Sequence, residues 1–281
     1  MNKKILAIHD ISCIGRCSLT VVLPIISAMG IEACPLPTAL LSSHFDGFNN
    51  VVVQDLTDNL KKFNNSWIEN KIKFDSIYTG FLASNKQIDI CIDLIKYHKK
   101  QGAYIYIDPV MADDGVKYSM MNDDFVIKMK KMIAHADLIT PNYTEACLLL
   151  DKEYKNGDVD PNMLKNWLVE LSNMGSKRIV ITGIKFENKI NNIGYDSVKE
   201  VFYSSSNKII NDRYSGTGDI FGSVLISELL NGIDMGKAII DAGKFVTNSI
   251  EKTIELKAPL REGLCFEQCL FNLKENLIAK N

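Results

Sequence analysis

The chain is poor in the residues that build specialised scaffolds. Its 281 residues include seven prolines and two tryptophans, and its seven cysteines are an odd number scattered from Cys13 to Cys269. That scatter excludes a disulfide-stapled secreted fold and implies reduced thiols in a cytoplasmic protein. No apolar run reaches membrane-spanning length, and the stretch Ile5 to Ile8, ended by His9 and Asp10, is too brief for a signal-peptide core. Charge of one sign is lacking too. With 32 basic and 34 acidic residues the balance is −2, so no global field favours nucleic acid or an anionic membrane. Two nucleotide-binding motifs are missing. There is no Gly-x-x-x-x-Gly-Lys-Ser/Thr, and the spacing of Gly216, Gly218 and Gly222 misses the dinucleotide fingerprint by one residue.

What is present is a globular composition, 46% hydrophobic and 23% charged, with no repeat, linker or low-complexity tract. One domain over residues 1–281 is expected. Short apolar runs at Lys4 to Ile8, Ile31 to Leu36, Asp75 to Tyr78, Ala103 to Ile107, Asp137 to Ile139 and Lys177 to Ile181 read as strands. Helical periodicity falls between them, at Leu19 to Met29, Asp55 to Asn70, Lys86 to Gln101, Asp123 to Ala134, Thr144 to Leu150 and Met163 to Met174. Such alternation predicts βαβ units and a mostly parallel sheet covered by helices on both faces. Ile193 to Ile210 reads as an antiparallel hairpin broken at Ser204 to Asn207, and Met111 to Met121 as a loop or lid. Asn188 to Gly194 and Lys152 to Asp160 read as surface loops, and helices are expected at Ile220 to Leu230, Met235 to Glu251 and Phe266 to Leu277.

The most pointed stretch is Tyr214-Ser215-Gly216-Thr217-Gly218-Asp219, which opens into the apolar helical run from Ile220. Gly216 and Gly218 lack the Cβ atoms that would hold a ligand off the backbone, and both are free to take positive φ. The amide groups from Gly216 to Asp219 would then form an anion site at a helix N-terminus. Asp219, kept ionised by the helix dipole, could accept a proton. An anion cradle beside a carboxylate suggests phosphoryl transfer to a hydroxyl, although a capped helix start fits the same residues.

In an open α/β sheet, ligands bind beyond the carboxyl ends of the strands. The residues there are Asp10, Thr38, Gly80-Phe81, Asp108, Thr140 to Glu145 and Thr182-Gly183. Asp108 and Glu145 are hard oxygen donors suited to Mg²⁺.

These segments carry a resemblance. Leu6-Ala7-Ile8 with Gly15, Pro37-Thr38 with Ser42-Ser43-His44, Tyr78-Thr79-Gly80-Phe81, Asp108-Pro109-Val110-Met111-Ala112-Asp113-Asp114-Gly115, Thr140-Pro141-Asn142-Tyr143-Thr144-Glu145 and Gly216-Thr217-Gly218-Asp219 resemble the pyridoxal kinases of the ribokinase-like superfamily. The resemblance runs in register over nearly the whole chain. It implies an α/β three-layer αβα sandwich with a central, mostly parallel sheet and a C-terminal antiparallel hairpin. It also implies ATP-dependent phosphorylation of the 5′-hydroxymethyl group of a B6 vitamer (pyridoxal, pyridoxamine or pyridoxine) by a homodimer. By position Asp219 would take the hydroxyl proton, and the amides of Gly216 to Gly218 would hold the moving phosphoryl group. Asp108 and Glu145 would organise Mg²⁺, with Asn142, Thr182 and Thr217 beside the nucleotide, and a monovalent cation such as K⁺ is left open. Asp10, Thr38, His44 and Phe81 would face the vitamer ring.

Asp10 stands where many pyridoxal kinases have serine, and could accept from the ring hydroxyl or a protonated ring nitrogen. Phe81 stands where tyrosine is common. The hydroxymethylpyrimidine kinases share the fold but usually carry cysteine at the position of Asp219, so Asp219 separates the two readings. A non-catalytic vitamer-binding protein on the same scaffold would be expected to lose one of the three acids Asp108, Glu145 and Asp219, and all are present.

Overall fold

A computed structural model describes residues 2–210 and 214–273. In chain order it contains β1 (Lys4–Ser12), α1 (Leu19–Ala28), β2 (Glu32–Leu41), β3 (Val53–Asp55), α2 (Thr57–Glu69), β4 (Ser76–Thr79), α3 (Asn85–Lys100) and β5 (Tyr104–Ile107). There follow β6 (Ala112–Asp113), β7 (Val116–Lys117), α4 (Asp123–Ile133), β8 (Leu138–Ile139), α5 (Tyr143–Leu149), α6 (Lys165–Asn173) and β9 (Arg178–Phe186). The series closes with β10 (Lys189–Asp196), β11 (Val201–Lys208), α7 (Thr217–Leu230) and α8 (Met235–Glu255).

Nine strands form one sheet in the order β11-β10-β9-β8-β5-β4-β1-β2-β3. From β2 across to β9 the pairs are parallel, and antiparallel strands finish both edges. Strand alternation builds the three layers. In β1, Leu6 and Ile8 face a core completed by Leu60, Ile88, Phe125 and Leu168, drawn from α2, α3, α4 and α6. Ile5 and Ala7 face the other way, toward Leu19, Val22, Ile220, Leu225 and Phe245 of α1, α7 and α8. Both faces of the central strands are therefore dry, which is why they read as short continuous apolar runs.

The chain passes from β1 to β2 on one side and then to β4 on the other. The order reverses at β1, and the carboxyl ends of β1 and β4 flank the crevice that such a reversal opens.

Several expectations need correction. β1 and β2 run past their expected ends at Ile8 and Leu36, to Ser12 and Leu41, so Asp10 and Thr38 lie within strands and not after them. The β10–β11 turn lies at residues 197–200, and Ser204 to Asn207 run inside β11, paired with Ile193 to Ile190. The segment Asn188 to Gly194, expected as a loop, is largely β10. Its polar residues are satisfied within the sheet: Asn192 accepts from the Gly183 N–H at 3.1 Å and donates to Ser205 Oγ at 3.2 Å. β9 does not stop at Ile181. Thr182 and Gly183 form a bulge opposite Asn192, with Gly183 at φ 70°, and the strand continues to Phe186. Within Met111 to Met121 lies the β6–β7 hairpin, turned by Asp114 and Gly115 at φ 46° and 79°. The last expected helix begins as a 3-10 turn, Phe266–Cys269, and its part beyond residue 273 lies outside the described residues.

Candidate active site

The glycine turn does cap a helix. Gly216 is the residue before α7 and sits at φ 83°, ψ 2°, and among the described residues no side-chain cap covers the first N–H groups of the helix. A Cβ on Gly216 would stand 2.3 Å from the Arg16 carbonyl oxygen, so the turn is pressed against the β1–α1 connection. Gly218 does not use that freedom. It lies inside the first turn of α7 and is not among the residues at positive φ, because the helix has already begun at Thr217. Its value is open space, since a Cβ there would meet only Asp108 Oδ2, at 3.6 Å. The uncapped amides and the α7 dipole suit an anion.

Asp219 follows directly. Its Oδ2 accepts the Ser18 N–H at 2.7 Å, and Oδ1 lies 3.7 Å from Nδ1 of the buried His9. Burial holds that imidazole neutral, with its pKa pushed down to about 3. Burial also drives the Asp219 carboxyl up to about 7, the Asp10 charge adding to the rise and the Ser18 amide opposing it. The dipole alone predicts a strongly ionised group; desolvation outweighs it here. An acid poised near neutrality is suited to exchange protons with a hydroxyl.

Asp10 ends the regular part of β1, where the register against β2 shifts between His9 and Ile11. It is buried, and a hydroxyl donates to each of its oxygens: Ser18 Oγ to Oδ1 at 2.5 Å and Ser12 Oγ to Oδ2 at 3.1 Å. Desolvation pushes its pKa up, while these hydroxyls and the nearby His44 pull it down. Thr38, on the shifted part of β2, donates to the Phe81 carbonyl at 3.3 Å, so two of the four residues expected at the ring are tied together at the switch point. His44 is held by the protein at both nitrogens, with Nδ1 accepting the Asp46 N–H at 3.1 Å and Nε2 2.7 Å from the Arg261 carbonyl. Its ring fastens the loop after β2 against Gly15.

Asp108, just past β5, is buried and its pKa is raised, first by desolvation and then by the charge of Asp219. Glu145 is raised as well, by desolvation and then by Asp108. Both oxygens of Glu145 are used structurally: Oε1 accepts from the Met111 N–H and Oε2 from the Asn142 N–H, each at 2.9 Å. With Asn142 it forms the capping box of α5, and Asn142 also donates to the Ala112 carbonyl at 2.7 Å. Thr182 bridges to Asn142, its N–H donating to Pro141.

Asp108, Glu145 and Asp219 thus form a chain of carboxylates in which Asp219 raises Asp108 and Asp108 raises Glu145. Among the described residues no cluster of three acidic, histidine or cysteine side chains is gathered to hold a metal ion, so a divalent cation here could take only one or two protein carboxylates and would rest mainly on ligand oxygens. Asp108 is the better direct donor, because Glu145 is occupied by backbone amides. Three participants escaped the sequence reading. Ser12 and Ser18 read only as part of the polar turn after the first strand, and His9 only as a residue ending the apolar run Ile5 to Ile8.

Comparison with known proteins gives a consistent set. The family model described as phosphomethylpyrimidine kinase matches residues 23–261. A candidate phosphomethylpyrimidine kinase from Bacteroides thetaiotaomicron superposes in its rhombohedral crystal form with a TM-score of 0.94, at 38% identity over 97% of this chain and 94% of that one. Its orthorhombic form, which contains pyridoxal, gives 0.89 at 37% identity, covering 97% and 96%. The Dictyostelium discoideum pyridoxal kinase is 27% identical over 242 residues, 80% of this chain and 78% of that protein. The hydroxymethylpyrimidine/phosphomethylpyrimidine kinase of Aquifex aeolicus is 27% identical over 178 residues, 63% of this chain and 67% of that protein.

Proposed function

We propose that this chain, which belongs to the phosphomethylpyrimidine kinase family, transfers the γ-phosphoryl group of ATP to the 5′-hydroxymethyl group of a B6 vitamer. The observation that carries the reading is the pairing of Asp219, at the uncapped start of α7, with the buried Asp10 at the end of β1. One acid is placed for a reacting hydroxyl, the other for a ring donor. The phosphate chain of ATP would lie against the amides of Gly216, Thr217 and Gly218, with Asn142 and Thr182 toward the rest of the nucleotide. Thr38 and Phe81 would flank the ring.

The vitamer oxygen attacks the γ-phosphorus, the bond to the β-bridging oxygen breaks, and ADP leaves. Asp219 receives the hydroxyl proton as the new ester forms. Catalysis of this kind is mostly positioning and charge stabilisation. Asp108, with Glu145 behind it, would hold Mg²⁺, whose charge would neutralise phosphate oxygens. The same reading carries a homodimer and a cytoplasmic setting; among the described residues no helix is long and apolar enough to cross a membrane.

The test is ATP consumption with pyridoxal, pyridoxamine, pyridoxine and hydroxymethylpyrimidine measured side by side. Turnover with at least one vitamer, faster than with the pyrimidine, is expected. Turnover confined to the pyrimidine would install the other activity of the family, which the Aquifex aeolicus relative's name carries. A finer prediction concerns Asp10. Replacing it by serine removes a buried anion while keeping a hydrogen-bonding group, and the order of kcat/KM among the three vitamers is expected to change by about tenfold, the effect of one charge-assisted hydrogen bond. An unchanged order would mean that Asp10 does not read the ring.

A further inference from the structure

Ser18 connects the end of β1 to α1, and its backbone is held at φ 53°, ψ −138°. That conformation lies outside the left-handed helical well, in a region that residues with side chains avoid and glycine enters freely. A serine before a helix ordinarily turns its hydroxyl onto the first N–H groups of that helix. Ser18 makes no such bond. Its hydroxyl reaches Asp10 Oδ1 at 2.5 Å, its N–H reaches Asp219 Oδ2 at 2.7 Å, and its carbonyl accepts from Val21 and Val22 to start α1. One buried, strained residue therefore spans both carboxylates that the reaction needs.

Glycine would supply the same N–H and the same carbonyl without the strain. The hydroxyl is the single group that it could not supply, so the strain is retained for the bond to Asp10. That bond has a consequence for recognition. With Ser18 donating to Oδ1 and Ser12 to Oδ2, Asp10 is fixed as an acceptor, and its remaining lone pairs are left for a donor on a ligand. A pyridinium N–H or a phenolic hydroxyl matches that demand.

We propose that Ser18 is a positioning residue that sets substrate specificity: its hydroxyl aims Asp10 at a donor group on the aromatic ring, while its amide aims Asp219 at the reacting hydroxyl. This assignment rests on the vitamer-kinase reading given above. Ser18 itself touches neither reacting atom and acts through the two acids.

The experiment compares wild type, Ser18→Gly, Ser18→Ala, Asp10→Asn and the double variant Ser18→Gly/Asp10→Asn, with pyridoxal and ATP as substrates. Melting temperatures are recorded alongside. Ser18→Gly is expected to melt at or above the wild-type temperature, because the strain is gone. Its KM for pyridoxal is nonetheless expected to rise about tenfold, with KM for ATP unmoved and kcat falling less than KM rises. Ser18→Ala should show the same KM change while keeping the strain. The double variant should be no worse in KM than Asp10→Asn alone, the signature of two residues acting as one unit. A wild-type KM for pyridoxal in Ser18→Gly, or additive effects in the double variant, would overturn the assignment of Ser18 while leaving the vitamer reading in place. Absence of wild-type turnover with pyridoxal and the other vitamers would overturn that reading, and the Ser18 assignment with it.

Discussion

Asparagine in place of Asp219 is expected to lower turnover by about 10²–10⁴-fold, the usual contribution of a positioned proton acceptor, and to make the ligand-free protein more stable at pH 8. The two effects have one cause. The asparagine side chain can still accept the Ser18 N–H through its amide oxygen, so the turn before α7 keeps its fastening. What the variant loses is the ability to take a proton, and it also loses a charge that the fold holds at a cost. The native carboxyl titrates near 7, well above an unfolded aspartate near 3.9. At about pH 4 the group is protonated in the native state and only about half ionised in the unfolded chain, so it costs little there. As pH rises toward 7 the unfolded chain releases the proton first, so the native state loses ground, and the loss levels off above 7. A shift of this size corresponds to as much as roughly 4 kcal/mol at pH 8. Chemical denaturation of both proteins at pH 4 and pH 8, without ligands, should give nearly matching midpoints at the lower pH and a higher midpoint for Asp219→Asn at the higher one. Near-normal turnover in the variant would remove Asp219 from the proton-transfer role. Equal midpoints at pH 8 would show that the carboxylate is not held at a cost.

That pairing of lost activity with gained stability also marks where the sequence stopped being informative. The central strands could be read because strands buried on both faces leave runs such as Ile5 to Ile8 and Tyr104 to Ile107 that no helical period explains. Once those were placed, the residues at their carboxyl ends, Asp10 in the last part of β1 and Gly80, Phe81 and Asp108 just beyond β4 and β5, followed from the geometry of a parallel sheet. At the antiparallel edge the signal failed. β10 and β11 are rich in Asn, Ser and Lys, and these residues resemble loop chemistry until the partner strand is known to satisfy them, as Ser205 and the Gly183 amide satisfy Asn192. Thr182-Gly183 misled for a related reason: a bulge and a strand end use the same residues.

Within the site, the acids were legible one at a time but their mutual influence was not. Nothing local to residue 219 says that Asp10 and Asp108 lie close enough to be felt, or that burial overrides the helix dipole there. Glu145 was legible as an acid near the nucleotide end, and its position three residues after Asn142 is also a capping-box spacing. Both readings apply to the same side chain, which leaves Asp108 as the less encumbered cation donor. Ser18 was the deepest omission. Its strain is a property of how the β1–α1 connection meets α7, two segments about 200 residues apart, and a serine in sequence carries no mark of it.

The two glycines of the turn offer the second large effect, because the structure separates what the sequence treated alike. Alanine at Gly216 is expected to cost about 2–5 kcal/mol of stability. The left-handed conformation accounts for roughly 1–2 kcal/mol with any L side chain, and overpacking adds about 1–3 more. The crowding cannot be relieved by a rotamer change, since the new methyl would meet the Arg16 carbonyl oxygen at 2.3 Å and the Cys17 Cα at 3.4 Å, both backbone. The start of α7 must therefore move away from the connection that carries Ser18, and the Ser18–Asp219 bond goes with it. A displacement of about 1 Å at a reacting group is enough for a 10²-fold loss of turnover. Alanine at Gly218 should behave in the opposite way toward stability. That position is helical and its methyl would meet only Asp108 Oδ2, at 3.6 Å, so a gain of about 0.5–1 kcal/mol is expected from replacing glycine within a helix. Its cost falls on the anion cradle, where the methyl stands between the backbone and the phosphate chain, and KM for ATP should rise. Melting curves and ATP kinetics on the two variants check the pair. A stable Gly216→Ala protein with normal turnover would mean that the turn is not clamped against Arg16, and an unchanged KM for ATP in Gly218→Ala would place the phosphates elsewhere.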